Sequence, residues 1–216
     1  MRIGALYSHL NGLEWMKVHQ PRVWKEIQAV IKSIDARKYV TKISKEKTKF
    51  GALLYSPNEL NAAIRTEFEK RGWNEVRYRY MVTDDYRLTT TIMRLAIEDQ
   101  ERMVKEAGKS PMYSYNQTDF QKNRVAVEVQ LGKYSFIEFD LFVKHLGFFI
   151  GDSIDVGVEI VPTKQMLSQM SSGPGYFERA LHQVARQGRG APPVPLVIIG
   201  FEEDHRPGIG QRKIAD

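Results

Sequence analysis

The chain has 216 residues, of which 42% are hydrophobic and 27% charged, an ordinary composition for a globular protein. It contains no cysteine, which excludes disulfides, cysteine-bound zinc and thiol catalysis, and no apolar run of about 18 residues, so we expect a cytoplasmic protein without a membrane span. Its 32 Lys and Arg residues outnumber 26 Asp and Glu residues, and this net charge of +6 favours a polyanion such as nucleic acid as partner.

Helical and strand patterns alternate along the chain, which predicts an α/β fold. Apolar residues at helical spacing predict helices over residues 20–36, 56–73, 97–109, 136–150 and 175–188. In the second of these, Ser56 and Glu59 have the spacing of a capping box, and Gly72 is placed to end the helix. Apolar runs predict strands over residues 125–131, 155–162 and 194–201. We expect one domain over residues 1–201 and a mobile C-terminal tail over residues 202–216, where polar residues, Gly and Pro dominate.

The predicted strand at 125–131, "VAVEVQL", carries two polar residues in an otherwise apolar run. Side chains alternate across a strand, so Glu128 and Gln130 share one face, and the valines share the other. A turn over residues 121–123 would place Asp119 on an antiparallel neighbour, beside Glu128. Converging carboxylates repel each other unless a cation lies between them, and oxygen ligands alone favour a hard ion such as Mg²⁺. The alternative is an amphipathic edge strand whose polar face is simply wet.

An Asp followed by Glu-x-Lys on the next strand is the metal site of the PD-(D/E)xK nuclease superfamily. The chain resembles one branch of it, the type II restriction endonucleases that include BstYI and BglII, in which glutamine takes the place of the lysine. The resemblance covers nearly the whole chain and is carried by "YSHLNGLE", "SKEKTK", "LYSP", "SYNQTDF", "VEVQ", "GKYSF", "DLFVKH", "IDVGVEI", "RQGRG" and "VPLV". One departure from the superfamily pattern is Thr118, which stands where proline usually precedes the aspartate.

This resemblance implies a restriction-endonuclease-like core with a mixed central β-sheet flanked by helices. It implies a homodimer that cuts both strands of double-stranded DNA at purine-GATC-pyrimidine, before the G, while a cognate DNA methyltransferase protects the host DNA. Asp119, Glu128 and Gln130 would be catalytic, and Mg²⁺ would bind Asp119, Glu128 and the backbone carbonyl of Val129. Gln130 is neither a cation nor a base, so we expect its amide to orient the attacking water.

Sequence recognition is expected from residues around this strand. Lys133 lies just beyond it and donates to purine acceptors in the major groove, or else contacts a phosphate. Ser171 and Ser172 lie on a Gly-rich loop that can approach base edges, although a serine there would also suit a helix N-cap. The expected phosphate contacts are Lys45, Lys47 and Lys49 of the basic segment at residues 37–49, and Arg186 and Arg189 near a helix end. A solvated loop is the alternative for the basic segment.

Two other functions fit the same residues. One is a PD-(D/E)xK nuclease that recognises DNA structure or damage, whose products would share no sequence. The other is a DNA-binding protein without catalysis, which the intact Asp119, Glu128 and Gln130 disfavour. We expect His145 to be a helix-surface residue, or a phosphate contact beside Lys144, rather than a general acid.

Overall fold

The computed structural model describes residues 1–204, and a six-stranded mixed sheet runs through its centre. In spatial order, the strands are β1 (Arg2–His9), β8 (Leu196–Glu202), β7 (Val156–Pro162), β6 (Val125–Val129), β5 (Met112–Lys122) and β4 (Asn74–Val82). Strands β6, β7 and β8 are parallel, whereas the β1–β8, β4–β5 and β5–β6 pairs are antiparallel. The predicted mixed sheet is therefore confirmed.

Helices cover both faces of this sheet, as predicted. The helices are α1 (Gly12–His19), α2 (Pro21–Ser33), α3 (Pro57–Glu69), α4 (Tyr86–Ile92), α5 (Ile97–Glu106), α6 (Ser135–Phe139), α7 (His145–Ile150), α8 (Lys164–Ser168) and α9 (Phe177–Arg186). Strand β8 shows how the faces are shared, because side chains alternate along it. Val197 and Ile199 join the core under α1, α2 and α3, whereas Leu196 and Ile198 pack with residues of α6 and α9.

Local signals explain where α3 begins and ends. Pro57 is its first residue, and the Ser56 hydroxyl accepts a hydrogen bond from the backbone N–H of Glu59 at 3.4 Å. The Glu59 carboxylate accepts from Thr41 at 2.9 Å, so the predicted capping box is present in its Ser56 half. Gly72 adopts a φ of +74° after the helix, a conformation that favours glycine.

The segment predicted as one helix over residues 136–150 is divided by a π-helical turn. α6 is followed by π-helical residues Asp140–Lys144, and these lead directly into α7. A π turn inserts one residue into the helical repeat and so changes which side chains face the sheet. As a result, both Asp140 and Lys144 contact side chains at the end of β6.

The basic segment forms a small two-stranded arm. Strand β2 (Val40–Ile43) pairs antiparallel with β3 (Leu53–Tyr55), and a 3₁₀ turn at Lys47–Lys49 lies between them. Lys45 and Lys47 lie on the segment that connects the two strands, and both are exposed, so the phosphate contact and the solvated loop both stay predictions. The tip of the arm lies beside the loop that follows α8, to which it is hydrogen-bonded.

Most of the expected C-terminal tail, residues 202–216, lies outside the described residues. Glu202, placed in that tail from the sequence, is the last residue of β8, and its carboxylate pairs with Arg2 at 2.6 Å. Residues 205–216 lie outside the described residues. Within residues 1–204, no helix is both long enough and apolar enough to cross a membrane.

Candidate active site

The predicted hairpin places Asp119 and Glu128 on neighbouring strands. Phe120 of β5 pairs with Val127 of β6, and Asp119 and Glu128 are the next residues of the two strands beyond this pair. The turn predicted at residues 121–123 lies further along the chain, because Gln121 and Lys122 belong to β5. It consists of Asn123 and Arg124, both with positive φ, as a type I′ turn requires. Arginine rarely adopts this conformation, but here its guanidinium is held by Asp152 and Asp155 at 2.7 and 3.0 Å.

Glu128 lies in the interior rather than on a wet edge. Strand β6 is flanked by β5 and β7, and the Glu128 residue is only 3% exposed. The alternative of an amphipathic edge strand is therefore wrong. Burial raises the pKa of Glu128; Lys144 opposes this effect, and the nearby Asp140 and Asp119 add to it.

The two oxygens of Glu128 have different surroundings. Oε2 lies 2.8 Å from the Lys144 ammonium, whereas buried Oε1 has no hydrogen-bond partner among the described residues. A buried carboxylate oxygen without a partner is costly, so this position calls for a cation or a proton.

Asp119 is the more accessible carboxylate of the pair. Its side chain is 31% exposed, its Oδ2 accepts from the Val129 N–H at 3.1 Å, and its Oδ1 lies 3.5 Å from the Arg65 guanidinium. The hydrogen bond from Val129 fixes the orientation of the carboxylate toward the end of β6. Sequence reasoning missed Arg65, because nothing in the pattern of α3 shows that this helix faces β5.

The Gln130 amide is occupied at both ends. Its Nε2 donates to Asp140 Oδ2 at 2.9 Å, and its Oε1 accepts from the Gly132 N–H at 2.9 Å. A primary amide has a second N–H and a second acceptor lone pair beyond these two bonds, so the expected role of orienting the attacking water stays a prediction. In this arrangement Gln130 ties the end of β6 to the π-helical turn.

Lys144 lies between two acidic residues. Its ammonium is 2.8 Å from Glu128 and 2.9 Å from Asp140, four residues earlier on the same helical segment. Burial lowers the pKa of Lys144, but the two carboxylates outweigh burial and hold that pKa above its usual value. Sequence reasoning did not select Asp140, although its four-residue spacing from Lys144 was a signal that the two side chains share a helical face.

The expectation for His145 is wrong. The residue is fully buried, with its ring Nε2 at 3.5 Å from the Glu159 carboxylate of β7, so it is neither a helix-surface residue nor a phosphate contact. Burial, with a smaller contribution from Lys144, lowers the pKa of His145 to about 3. Burial also raises the pKa of Glu159 well above its ordinary value. The π turn explains the burial, because it shifts the helical face presented by α7.

An open groove of about 520 Å³ begins just past the end of β6. Lys133, Ser171, Lys42 and Thr41 are among its lining residues. Lys133 is exposed, and its backbone forms a bridge with Pro174. The loop between α8 and α9, residues 169–176, carries Ser171 and Ser172 and is called the serine loop below. The structure therefore brings Lys133 together with this loop, which is far from it in the sequence.

The arm contacts this serine loop directly. Lys42 donates to the Ser171 hydroxyl at 2.8 Å, and a Glu46 oxygen accepts from the Ser172 N–H at 2.7 Å and from its hydroxyl at 3.0 Å. The residue before α9 is Tyr176, so neither serine is the N-cap of that helix.

The lysines of the arm differ in their surroundings. The Lys49 ammonium donates to the backbone carbonyls of Ser168 and Met170 at 2.7 and 2.9 Å, so it anchors the arm. Lys45 and Lys47 are exposed. These two remain placed for a phosphate contact, whereas Lys49 has a structural partner.

Comparisons with known proteins identify the family. The family model for the restriction endonuclease BglII/BglIII matches residues 5–201. The chain belongs to the BglII/BglIII restriction endonuclease family. Members of this family are type II restriction endonucleases, and this chain is one by that membership.

Solved structures share its fold. The crystal structure of restriction endonuclease BglII complexed with a DNA 16-mer superposes with a TM-score of 0.64 at 19% identity, over 94% of this chain and 79% of that chain. The crystal structure of free BglII gives a TM-score of 0.58 at 17% identity, over 94% of this chain and 81% of that one. A comparison with curated proteins finds no match.

In this BglII-family chain, Arg186 and Arg189 lie apart from the candidate site. Phe177, at the start of α9, packs against Gly200 near the carboxyl end of β8, so α9 runs back toward the amino end of that strand. Arg186 ends that helix, and both arginines are exposed. The candidate site lies at the carboxyl end of β6, and β6 is parallel to β8. The arginines lie near the amino end of β8, and therefore at the opposite ends of these strands.

The residues present fit a hard divalent cation. Asp119 and the unpartnered oxygen of Glu128 supply carboxylate oxygens, which such ions prefer. Within residues 1–204, no group of three or more His, Cys, Asp and Glu side chains is arranged to hold a metal. A metal here would complete its coordination with the Val129 carbonyl, water or substrate oxygens, as is common for Mg²⁺.

Proposed function

We propose that this protein hydrolyses both strands of double-stranded DNA at GATC-centred palindromes, with Mg²⁺ as cofactor and as a homodimer. The proposed site is purine-GATC-pyrimidine, cut before the G. The observation that carries the proposal is the buried Glu128 opposite Asp119, with one open carboxylate oxygen, at the end of a strand in a BglII-family fold. The DNA-bound BglII structure supports DNA as the substrate class.

The chemistry follows from the placement of these groups. Asp119 and Glu128, with the Val129 carbonyl, would hold Mg²⁺, which supplies an activated water and offsets the charge that develops on the phosphate. The water oxygen bonds to phosphorus as the P–O3′ bond breaks, and one water proton ends on the leaving oxygen. The products are a 3′-hydroxyl and a 5′-phosphate. Asp119 is oriented for this role by the Val129 N–H.

Sequence recognition is assigned to the groove beyond β6. Lys133 and Ser171 line it, and Ser172 is held beside it by Glu46. Lysine only donates, so Lys133 suits the purine N7 acceptor that adenine and guanine share. Lys45 and Lys47 would contact phosphates, which position the DNA without reading its sequence. Lys49 is a weaker candidate for DNA contact because its ammonium is bound to backbone carbonyls. Arg186 and Arg189 are weaker candidates because they lie far from the candidate site, at the end of α9.

The biological setting follows from this activity. An endonuclease for so short a palindrome would cut its own genome, so we propose that a cognate DNA methyltransferase modifies the same sites. We also propose that the enzyme acts in the cytoplasm, where incoming DNA would be met.

A sequenced plasmid digested with the purified protein and Mg²⁺ tests this function. Mapping of the ends should show cuts in both strands before the G of every purine-GATC-pyrimidine site, with 5′-phosphate ends. Ends that share no sequence would instead indicate a nuclease that recognises structure or damage. Specific binding without any cleavage would indicate a catalytically silent DNA-binding protein.

A further inference from the structure

A cation reaches the buried carboxylate of Glu128 from the neighbouring helical segment. Strand β6 and the residue after it, Gln130, carry no Lys or Arg. Lys144, on the π-helical turn, brings its ammonium to 2.8 Å from Glu128, the acidic residue two positions before Gln130. A charged nitrogen is thus present in the site, although the strand does not provide it.

Besides Glu128, Asp140 holds the Lys144 ammonium, and Asp140 is itself held by Gln130. Asp140 accepts from the ammonium at 2.9 Å, and the same Asp140 accepts from the Gln130 amide at 2.9 Å through its other oxygen. Gln130 is in turn fixed by the Gly132 N–H. The glutamine, the aspartate and the lysine therefore form one connected chain of hydrogen bonds, which leads from the end of β6 to the ammonium.

Lys144 also borders open space. Among the residues that line a pocket of about 330 Å³ are Asn116, Gln117, Gln130, Phe139, Asp140 and Lys144. The Lys144 side chain is 14% exposed, whereas that of Asp140 is 3% exposed. The lysine is the cation on the wall of this pocket, and Asn116 and Gln117 add neutral polar groups. A phosphodiester oxygen entering the pocket would meet the ammonium rather than the buried aspartate.

We propose that Lys144 is a catalytic residue whose ammonium binds a non-bridging oxygen of the scissile phosphate, and that Asp140 and Gln130 are its positioning residues. This inference rests on the proposed endonuclease function. The ammonium stays protonated throughout. It stabilises the negative charge that builds on the phosphate while the bond from water to phosphorus forms and the P–O3′ bond breaks. A fixed charge aimed at developing negative charge contributes about 10²–10³-fold in comparable sites.

The first test compares Lys144→Met with wild type on a duplex that holds one AGATCT site. Single-turnover cleavage in Mg²⁺ should fall by at least about 100-fold, whereas binding of the same duplex in Ca²⁺ should change by less than about tenfold, because most contacts to DNA lie elsewhere. Lys144→Arg should retain part of the rate. Lys122→Met is the matched control, because Lys122 also forms a partly buried ion pair, with Glu26 at 2.8 Å, and should cut normally.

Moving the charge back to the strand gives a second test. In the double variant Gln130→Lys with Lys144→Met, the strand lysine should restore cleavage at least about tenfold above Lys144→Met alone, by the same charge argument. A purely structural role for Lys144 predicts no such recovery. If Lys144→Met does not fold, which thermal unfolding would reveal, Asp140→Asn with Lys144→Met removes the unpaired buried charge. That pair then replaces the single variant, with the same expected loss.

The outcomes separate the two proposals. If wild type and Lys144→Met cut the duplex at the same rate, the proposed role of Lys144 is overturned and the endonuclease function stands. Tighter Mg²⁺ binding by Lys144→Met in calorimetry, with an unchanged rate at saturating Mg²⁺, also overturns that role and makes Lys144 a placeholder for the metal. Wild-type protein that cuts no duplex overturns the endonuclease function and this inference together.

Discussion

Glu128 and Asp119 lie on paired strands, yet their surroundings differ. Glu128 is buried and held by Lys144 through one oxygen, whereas Asp119 is partly exposed and contacts Arg65. Arg65 also lies over the Phe120 ring at 5.3 Å, so its guanidinium is held near Asp119 by two partners. The pair therefore combines one deeply fixed carboxylate with one that solvent and substrate can reach, which suits a metal shared between protein and DNA.

At the residue scale, Lys133→Asn should shift preference toward AGATCT relative to GGATCC. Lysine can donate to N7 of either outer purine, whereas asparagine can donate to N7 of adenine and accept from its amino group. A good bidentate pair discriminates by about 1–3 kcal/mol, so competition digests should change the cleavage ratio by roughly tenfold or more.

Lys133→Met is the matched variant, because it removes the charge without adding an amide. It should weaken cutting at both sites alike. An unchanged ratio for Lys133→Asn, with uniformly slower cutting, would reassign Lys133 to a phosphate contact.

At the element scale, the arm acts as a support for the serine loop. Glu46 accepts two hydrogen bonds from Ser172, and backbone bonding to Ser172 is the main cause that lowers the pKa of Glu46. Lys42 and Lys49 contact the same loop from the other side of the arm tip. Through these contacts, the arm fixes the position of the loop and of Ser171, which lines the groove.

Glu46→Ala should therefore reduce selectivity more than stability. The loop would lose the two hydrogen bonds to Glu46. The ratio of the cleavage rate at the cognate site to that at a site with one wrong base should fall by about tenfold, because one base pair contributes about 1–2 kcal/mol of discrimination. Lys45→Ala, on the same arm, should instead weaken binding to all sequences and reduce the salt dependence by about one phosphate contact. Equal selectivity in Glu46→Ala and wild type would exclude this supporting role.

The π turn also has a consequence for stability, through His145. Its pKa is lowered to about 3 in the folded protein by burial, against an ordinary value near 6.5, so the unfolded chain binds a proton that the folded protein does not. The contribution of His145 to the free energy of unfolding should be fully present above about pH 6.5 and should fall as the pH drops below that value. At pH 5 the loss from this group is about 2 kcal/mol.

Denaturant unfolding at pH 7.5 and pH 5 would measure this loss. His145→Gln should lose less stability over that interval than wild type does, by about 2 kcal/mol. His182→Gln, at an exposed position of α9, should behave like wild type. The same pH slope in His145→Gln and wild type would contradict the assignment.

At the scale of the whole molecule, one chain provides one Asp119–Glu128 site. A palindrome cut in both strands needs two such sites, related by the twofold axis of the DNA, and a symmetric dimer supplies them. Analytical ultracentrifugation should thus give twice the monomer mass, at least when a palindromic duplex is bound. A monomer on each duplex, together with cleavage of both strands, would contradict the dimer.

Part of this architecture could be predicted from the sequence, because local patterns decide it. The apolar run of β6, the turn before it and the start of α3 depend on neighbouring residues. The start of α3 is where it was predicted, whereas the turn lies at Asn123 and Arg124 and β6 ends at Val129 rather than at residue 131. The family resemblance supplied the mixed sheet, whereas the placement of Asp119 beside Glu128 followed from the strand pattern and the predicted turn. The fold is therefore most predictable where its causes lie within about ten residues.

The rest depends on contacts between distant segments. The apolar residues of segment 136–150 fit one broad helical face, so the shift that the π turn introduces could not be read from periodicity. The burial of His145 and the approach of Asp140 to Gln130 both follow from that shift. Arg65 reaches Asp119 only because α3 packs beside β5. The pairing of the arm with the serine loop joins residues about 126 positions apart.

The most direct test of the Asp119–Glu128 site compares wild type with Asp119→Asn and Glu128→Gln on one end-labelled duplex that contains AGATCT. We predict that wild type cuts both strands in Mg²⁺, and that each variant cuts at least about 100-fold more slowly. Both variants should remain folded in thermal unfolding and should bind the duplex in Ca²⁺ within about tenfold of wild type. Cleavage by either folded variant at close to the wild-type rate would contradict the assignment of these carboxylates as the catalytic centre.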